Sequence, residues 1–227
     1  TNDYTFSGQL YAHILRSPHA AAKINSVDVS GAKKVAGVHL AICGQDVFEH
    51  TNGITDHLNP AIFGGKSTRL PCMAVDEAWC FGQPVAIVVA EDERTARYAA
   101  SRIQVDYTPL DPIIDVEKAV AKGARSVVPG WEDNTLIYVP FMNGDTQKAF
   151  DTASQVITTD IKIHRFSSQP METRCYNAMW EHDTQSITLY GTCQNPHPLR
   201  LVIAETLRMD ENKIRIIAST IGGAFGL

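Results

Sequence analysis

Two short stretches late in the chain combine residue types suited to holding a ligand. One is Thr192-Cys193-Gln194, where the Gln194 amide offers both a donor and an acceptor. The other is Ser219-Thr220-Ile221-Gly222-Gly223-Ala224-Phe225-Gly226, in which glycines surround an alanine and one large ring. Glycines leave backbone N–H groups unobstructed, which suits phosphate or carbonyl-like oxygens. Phe225 can pack beside a flat ligand or plug a core. Taken singly, a Gly-Gly turn after a strand is most often a turn, and a Gln after a strand most often orders a loop. Glu172, in Pro170-Met171-Glu172-Thr173-Arg174, is the nearby carboxylate that draws attention.

The elements around these stretches are what join them. Ser186 to Thr192 reads as a strand. Asn195 stands at a cap position, Pro196 suits a first helical turn, and Leu199, Val202, Ile203, Thr206 and Leu207 form one helical face. Met209 to Asn212 makes a turn, and Lys213 to Ala218 returns as a strand. Such a crossover joins parallel strands. Parallel strands end on the same edge, so Gln194 and Gly222 to Gly226 are expected to converge on one rim, where α/β sheets commonly bind ligands.

Upstream, Gln9 to Arg16, Lys23 to Val29 and Gly37 to Cys43 read as strands, with Ser30 capping a short helix through Lys34. Gly44-Gln45-Asp46 is expected to open a loop, and Glu49 to Arg69 to form a long surface loop. Gly82 to Leu110 predicts a buried strand, an acidic turn, a helix and a second strand. In that helix Ala96, Ala99, Ala100 and Ile103 recur at helical spacing, a narrow row suited to close packing on a sheet. Lys122 to Pro140 reads as a crossing linker, Gly144 to Ala153 as a short helix with Asp145 near its N-terminus, and Gln155 to His164 and Arg174 to Trp180 as strands. The expected class is α+β.

The bulk properties close off several functions. With 227 residues, a net charge of −5 and 44% hydrophobic residues, the chain is ordinary for a globular protein and unsuited to a nucleic-acid surface. No apolar run approaches the ~20 residues of a membrane helix. The first residues lack the basic-then-apolar start of a signal peptide and carry no initiating Met. The five cysteines form no C-x-x-C pair and the eight histidines no H-x-x-x-H pair, so a protein-ligated metal is not expected. An odd set of cysteines fits reduced thiols in the cytoplasm. G-x-G-x-x-G, G-x-x-x-x-G-K-[ST] and G-x-S-x-G are all missing, which argues against a plain nucleotide-binding oxidoreductase or a serine hydrolase.

Four segments, in order, carry a family resemblance: "LYAHILRSPHAAAKINSVDVSGAKKVAGV" (Leu10 to Val38), "GQPVAIVVAEDERTARYAASRIQVDY" (Gly82 to Tyr107), "QPMETRCYNAMW" (Gln169 to Trp180) and "GTCQNPHPLRLVIAETLRMDENKIRIIASTIGGAFG" (Gly191 to Gly226). Together they resemble the large, molybdopterin-binding subunit of the xanthine dehydrogenase and aldehyde oxidase family of molybdenum hydroxylases, in its N-terminal portion. The resemblance implies an α/β hammerhead domain over residues 1–112, a linker over 113–140 and the first part of a molybdopterin-binding domain over 141–227. It places Gly222, Gly223, Ala224, Phe225 and Gly226 against the pyranopterin, and Gln194 in a hydrogen bond to an oxo ligand of the molybdenum. Glu172 matches a family position that is structural rather than catalytic.

The same resemblance implies hydroxylation of an N-heterocycle or aldehyde with water-derived oxygen. Electrons would leave through [2Fe-2S] centres to FAD, both on partner chains, since neither has a motif here. The cofactor would be molybdenum-molybdopterin, a cytosine dinucleotide form being common in bacterial relatives. The general-base glutamate and most of the cofactor site fall in sequence this chain lacks, so the remaining molybdopterin-domain segment is itself an expected partner. The rival expectation is a non-catalytic scaffold or assembly subunit of such a complex. One departure stands out: the family loop usually reads G-G-G-F-G, and Ala224 replaces its middle glycine. A methyl is harmless there at negative φ and obstructive at positive φ.

Overall fold

The computed structural model describes residues 4–55, 65–66 and 69–226. Along the first half run the strands β1 (Tyr11–Arg16), β2 (Ala22–Asp28), β3 (Val38–Cys43), β4 (Ile54–Thr55), β5 (Arg69–Leu70), β6 (Glu77–Ala78), β7 (Pro84–Ala90) and β8 (Gln104–Pro109). Helices α1 (Ser30–Lys33), α2 (Gly44–His50) and α3 (Glu93–Ala100) lie among them. The continuous apolar run of β7 takes the centre of an antiparallel sheet ordered β1-β7-β3, with Ile87 opposite both Ile14 and Ile42. A second antiparallel sheet, β6-β2-β8, and the β4-β5 pair complete this region.

α3 covers the first sheet through the alanine row expected from its spacing. Ala96, Ala99 and Ala100 are buried, and Ala99 and Ala100 join Ala32, Ala41, Ala86, Val88 and Ile103 in one core. Small side chains bring helix and sheet close, so each methyl there meets backbone or another methyl. The helix starts where Asp92 caps it: Thr95 donates to the Asp92 carboxylate from both its N–H (2.8 Å) and its hydroxyl (2.7 Å).

The second half holds α4 (Val116–Ala119), α5 (Thr146–Thr152), β9 (Tyr176–Glu181), β10 (Ser186–Gly191), α6 (Pro196–Leu207) and β11 (Ile214–Ala218). Its sheet is ordered β11-β10-β9, with β9 antiparallel to β10 and β10 parallel to β11 across α6. This is the strand–helix–strand unit that the spacing predicts. Asp145 caps α5 by accepting from the Lys148 N–H at 3.0 Å. Asn195 occupies the cap position of α6 and makes no side-chain cap bond there. On α6 Thr206 and Ala204 are buried, Leu199, Val202 and Ile203 half-buried, and Leu207 exposed.

The far end of α6 is tied to the first half. Arg208, in a left-handed C-cap, donates to the Asn52 side-chain oxygen (2.8 Å) and the Thr51 carbonyl (3.0 Å). Asn52 donates to the carbonyls of Glu205 (2.8 Å) and Thr206 (2.9 Å), and the Thr206 hydroxyl donates to Gly53 O at 3.1 Å. The connecting stretch is pinned as well, by Arg125 to Glu77 (2.9 Å) and Lys66 to Asp133.

Several expectations are corrected. Gly44-Gln45-Asp46 opens α2 rather than a loop, because Cys43 and Asp46 form a reciprocal capping box in which the Cys43 N–H donates to Asp46 at 2.8 Å. Ser30 is the first helical residue of α1, with Val29 at its cap position. The surface loop expected over Glu49 to Arg69 begins only after α2 ends at His50 and is interrupted by β4; its residues 56–64 and 67–68 lie outside the described ones. Gln155 to His164 is not a strand. Its apolar side chains have no sheet to rest on among the described residues, and Ile157 (79%), Ile161 (79%) and Ile163 (81%) stay exposed. Among the described residues no helix is long and apolar enough to cross a membrane.

Candidate cofactor site

The parallel register sets the geometry of the site. Gly191 pairs with Ala218 at the ends of β10 and β11, so Thr192-Cys193-Gln194 and Ser219 to Gly226 leave the sheet from one edge. An open cleft of ≈ 1000 Å³ lies there, and Tyr176, Thr192, Cys193, Gln194, His197 and Gly226 are among the residues lining it. Gln194 is exposed, and its amide makes no hydrogen bond among the described residues. Burial pushes the Cys193 thiol and the Tyr176 phenol up, so both stay protonated at neutral pH.

Tyr176 shapes the mouth of this edge. It faces Gly191 across the β9–β10 ladder and its hydroxyl donates to the Thr192 carbonyl at 3.1 Å. The next bonds in line join Thr192 to Cys175, from the Thr192 N–H to Cys175 O at 3.2 Å.

The glycine loop is held from the Ser168–Glu172 segment. The Gly222 N–H donates to Glu172 Oε2 at 2.6 Å, and the Glu172 N–H donates back to the Gly222 carbonyl at 3.3 Å. A Cβ on Gly222 would lie 2.7 Å from the Glu172 Cβ. The Ser168 hydroxyl donates to the Phe225 carbonyl at 2.7 Å. Gly223 (φ 101°), Phe225 (φ 50°) and Gly226 (φ 87°) all sit in the left-handed region, whereas Ala224 does not. The Ala224 methyl is therefore accommodated without strain. Phe225 carries the conformational cost instead, and with its side chain 73% exposed it does not plug the core among the described residues.

The Gly222 N–H is engaged by Glu172 and so is not among the loop's free donors. The N–H groups of Gly223, Ala224, Phe225 and Gly226 donate to nothing among the described residues. The unengaged Gln194 amide and Gly226 line one cleft, and the free N–H groups of Gly223, Ala224 and Phe225 lead up to Gly226 on the loop; such donors fit a flat ligand rich in nitrogen and oxygen such as a pterin. Among the described residues no group of three or more His, Cys, Asp or Glu is placed to hold a metal ion. Sequence spacing reveals neither the Glu172–Gly222 pair nor the Ser168–Phe225 bond, because their partners lie 50 and 57 residues apart.

Comparisons with known proteins bear on the same residues. Residues 1–111 match the family model described as the aldehyde oxidase and xanthine dehydrogenase a/b hammerhead domain. Residues 130–227 match that of the molybdopterin cofactor-binding domain. The large subunit of nicotine 6-hydroxylase from Paenarthrobacter nicotinovorans is 31% identical over 99% of this chain and 27% of its own length. The large chain of carbon monoxide dehydrogenase from Afipia carboxidovorans is 30% identical over 99% of this chain and 29% of its own length. The crystal structure of quinoline 2-oxidoreductase from Pseudomonas putida 86 superposes with a TM-score of 0.91 at 31% identity, covering 99% of this chain and 28% of that one. The chain thus spans little more than a quarter of the length of these relatives. With both models of the family matched in order, and the α+β fold shared with its solved members, the chain belongs to the xanthine dehydrogenase and aldehyde oxidase family of molybdenum hydroxylases.

Proposed function

We propose that this chain forms one wall of the active site of a molybdenum hydroxylase acting on an N-heterocycle or an aldehyde. The observation that supports the reading is that the unengaged Gln194 amide and Gly226, at the end of a loop with free N–H donors, line one cleft. When bound, the molybdenum–pterin group supplies the redox chemistry that puts water-derived oxygen on an electron-poor carbon. The chain's own residues bind and orient. Gln194 would present its amide to the cofactor, the free N–H groups of the loop would hold it, and Phe225 would give a ring face beside it. We assign no residue of this chain as the general base.

The rest of the reading follows the relatives. We take residues 1–112 as the hammerhead unit, 113–140 as linker and 141–227 as part of the cofactor domain. The names of several relatives, among them the gamma subunit of a 6-hydroxypseudooxynicotine dehydrogenase complex and the carbon monoxide dehydrogenase large chain, mark them as parts of larger assemblies. On that footing we assign [2Fe-2S] centres and FAD to partner chains; from the family resemblance we further infer a cytosine dinucleotide form of the pterin and the cytoplasm as compartment.

The test is metal and pterin analysis of the intact complex purified from its source. Molybdenum and pterin near one per copy of this chain support the reading. A complex that turns over substrate with neither present would end it.

A further inference from the structure

Glu172 and Gly222 bond in both directions, carboxylate to N–H at 2.6 Å and N–H to carbonyl at 3.3 Å. This is a one-residue ladder rung between two segments that share no strand. A carboxylate acceptor makes it stronger than a neutral rung. It is also selective, since any side chain at 222 would collide with the Glu172 Cβ, 2.7 Å away from an added Cβ. Downstream of the rung the backbone turns through left-handed conformations at Gly223, Phe225 and Gly226, and Ser168 catches the Phe225 carbonyl. The loop is therefore fastened at its first residue and again at its fourth, both times from Ser168–Glu172.

We propose that Glu172 is the positioning residue of the glycine loop. By taking up Gly222, it sets the loop's conformation before any ligand arrives and leaves the following N–H groups for the cofactor. The role rests on the functional reading above, but the pre-set loop is a property of this chain alone. The bond to the Gly222 N–H needs only an acceptor oxygen at position 172, so glutamine is a competent replacement for the clamp and alanine is not.

The experiment uses the full-length complex carrying the wild-type, Glu172→Ala or Glu172→Gln chain. Three quantities are measured: amide hydrogen exchange at Gly222, pterin and molybdenum per copy of the chain, and the thermal unfolding midpoint. Removing a bond to a charged acceptor should speed Gly222 exchange by roughly tenfold or more. In Glu172→Ala, exchange rises by that factor and cofactor content falls several-fold, with the midpoint nearly unmoved; Glu172→Gln keeps both near wild type. Wild-type exchange and loading in Glu172→Ala would overturn the proposal, and so would equal losses in both variants. If Glu172→Ala yields no folded complex, wild-type protein stripped of cofactor decides: slow Gly222 exchange supports the pre-set loop and fast exchange overturns it. A wild-type complex without molybdenum or pterin would sink the functional reading, and Gly222 exchange would still judge the clamp.

Discussion

The Tyr176 ring packs against Gly191, its partner across the β9–β10 ladder, so closely that a Cβ on Gly191 would sit 2.5 Å from Cδ1 and 2.8 Å from Cε1. The ring covers the missing side chain and its hydroxyl then reaches Thr192 O at 3.1 Å. Gly191→Val should push the ring out, break that bond and destabilise the fold by about 1–3 kcal/mol. Tyr176→Phe, which keeps the ring, should cost only about 0.5–1.5 kcal/mol. Denaturant titration of the two variants reads the difference; equal losses would mean the hydroxyl, not the ring, holds this corner.

Gln194 gives a prediction about chemistry rather than stability. Its amide is exposed and bonded to nothing among the described residues, so Gln194→Ala should fold normally and retain molybdenum. Turnover should fall on the order of 100-fold if the amide aids the reacting end of the cofactor. Steady-state rates paired with metal content check this. Collapse of metal content would make Gln194 a cofactor anchor instead.

At Gly223 both backbone and space exclude a side chain: φ is 101°, and a Cβ would lie 2.9 Å from Phe225 Cε2 and 3.4 Å from Pro170 Cβ. Gly223→Val should lower pterin occupancy, measured as fluorescent pterin released on acid treatment. Full occupancy with normal activity would count against contact between loop and pterin.

In the first half, Ala99 is wholly buried between α3 and the sheet. Ala99→Leu adds volume where helix and sheet already touch, and should destabilise by about 1–3 kcal/mol. An unchanged denaturation midpoint would show that this interface can dilate.

Asp92 gives a pH-dependent prediction. The N–H and hydroxyl of Thr95 hold its carboxyl below the usual carboxylate range, against a smaller opposing push from burial. A depressed folded pKa means that the stabilisation is fully present above the unfolded value, about 3.9, and is lost as pH falls through the folded one. The stability gap between wild type and Asp92→Ala should therefore be constant near neutrality and close on acidification below about pH 4. A gap that persists in acid would show that the protonated Asp92 carboxyl caps the helix as well as the carboxylate does.

The parts of the fold that were legible in sequence share one property: their signal is local. The alanine row of α3, the apolar run of β7 and the β10–α6–β11 crossover each rest on patterns between near neighbours in the chain, and the crossover alone brings Gln194 and the loop to one edge. α2 was missed because its cap is a cysteine paired with Asp46, outside the usual Ser/Thr pattern. Gln155 to His164 has strand-like residues but no partner among the described ones, and a strand exists only through its pairing. The clamp on Gly222 joins residues whose separation of 50 carries no periodic signature. Ala224 illustrates the division: sequence shows the substitution, and only the backbone angle shows that it is harmless.

The anchoring of α6 at residues 51–53 makes the helix a lever with its fulcrum outside the cleft. Its 12 residues rise about 18 Å, so a tilt of about 5° at the Asn52–Arg208 joint would carry the other end roughly 1.6 Å sideways, a displacement on the scale that alters catalytic alignment. That end is where the chain enters from Gln194. A substitution at Asn52 or Gly53 that shifts this joint would therefore also move Gln194, although neither residue lines the cleft.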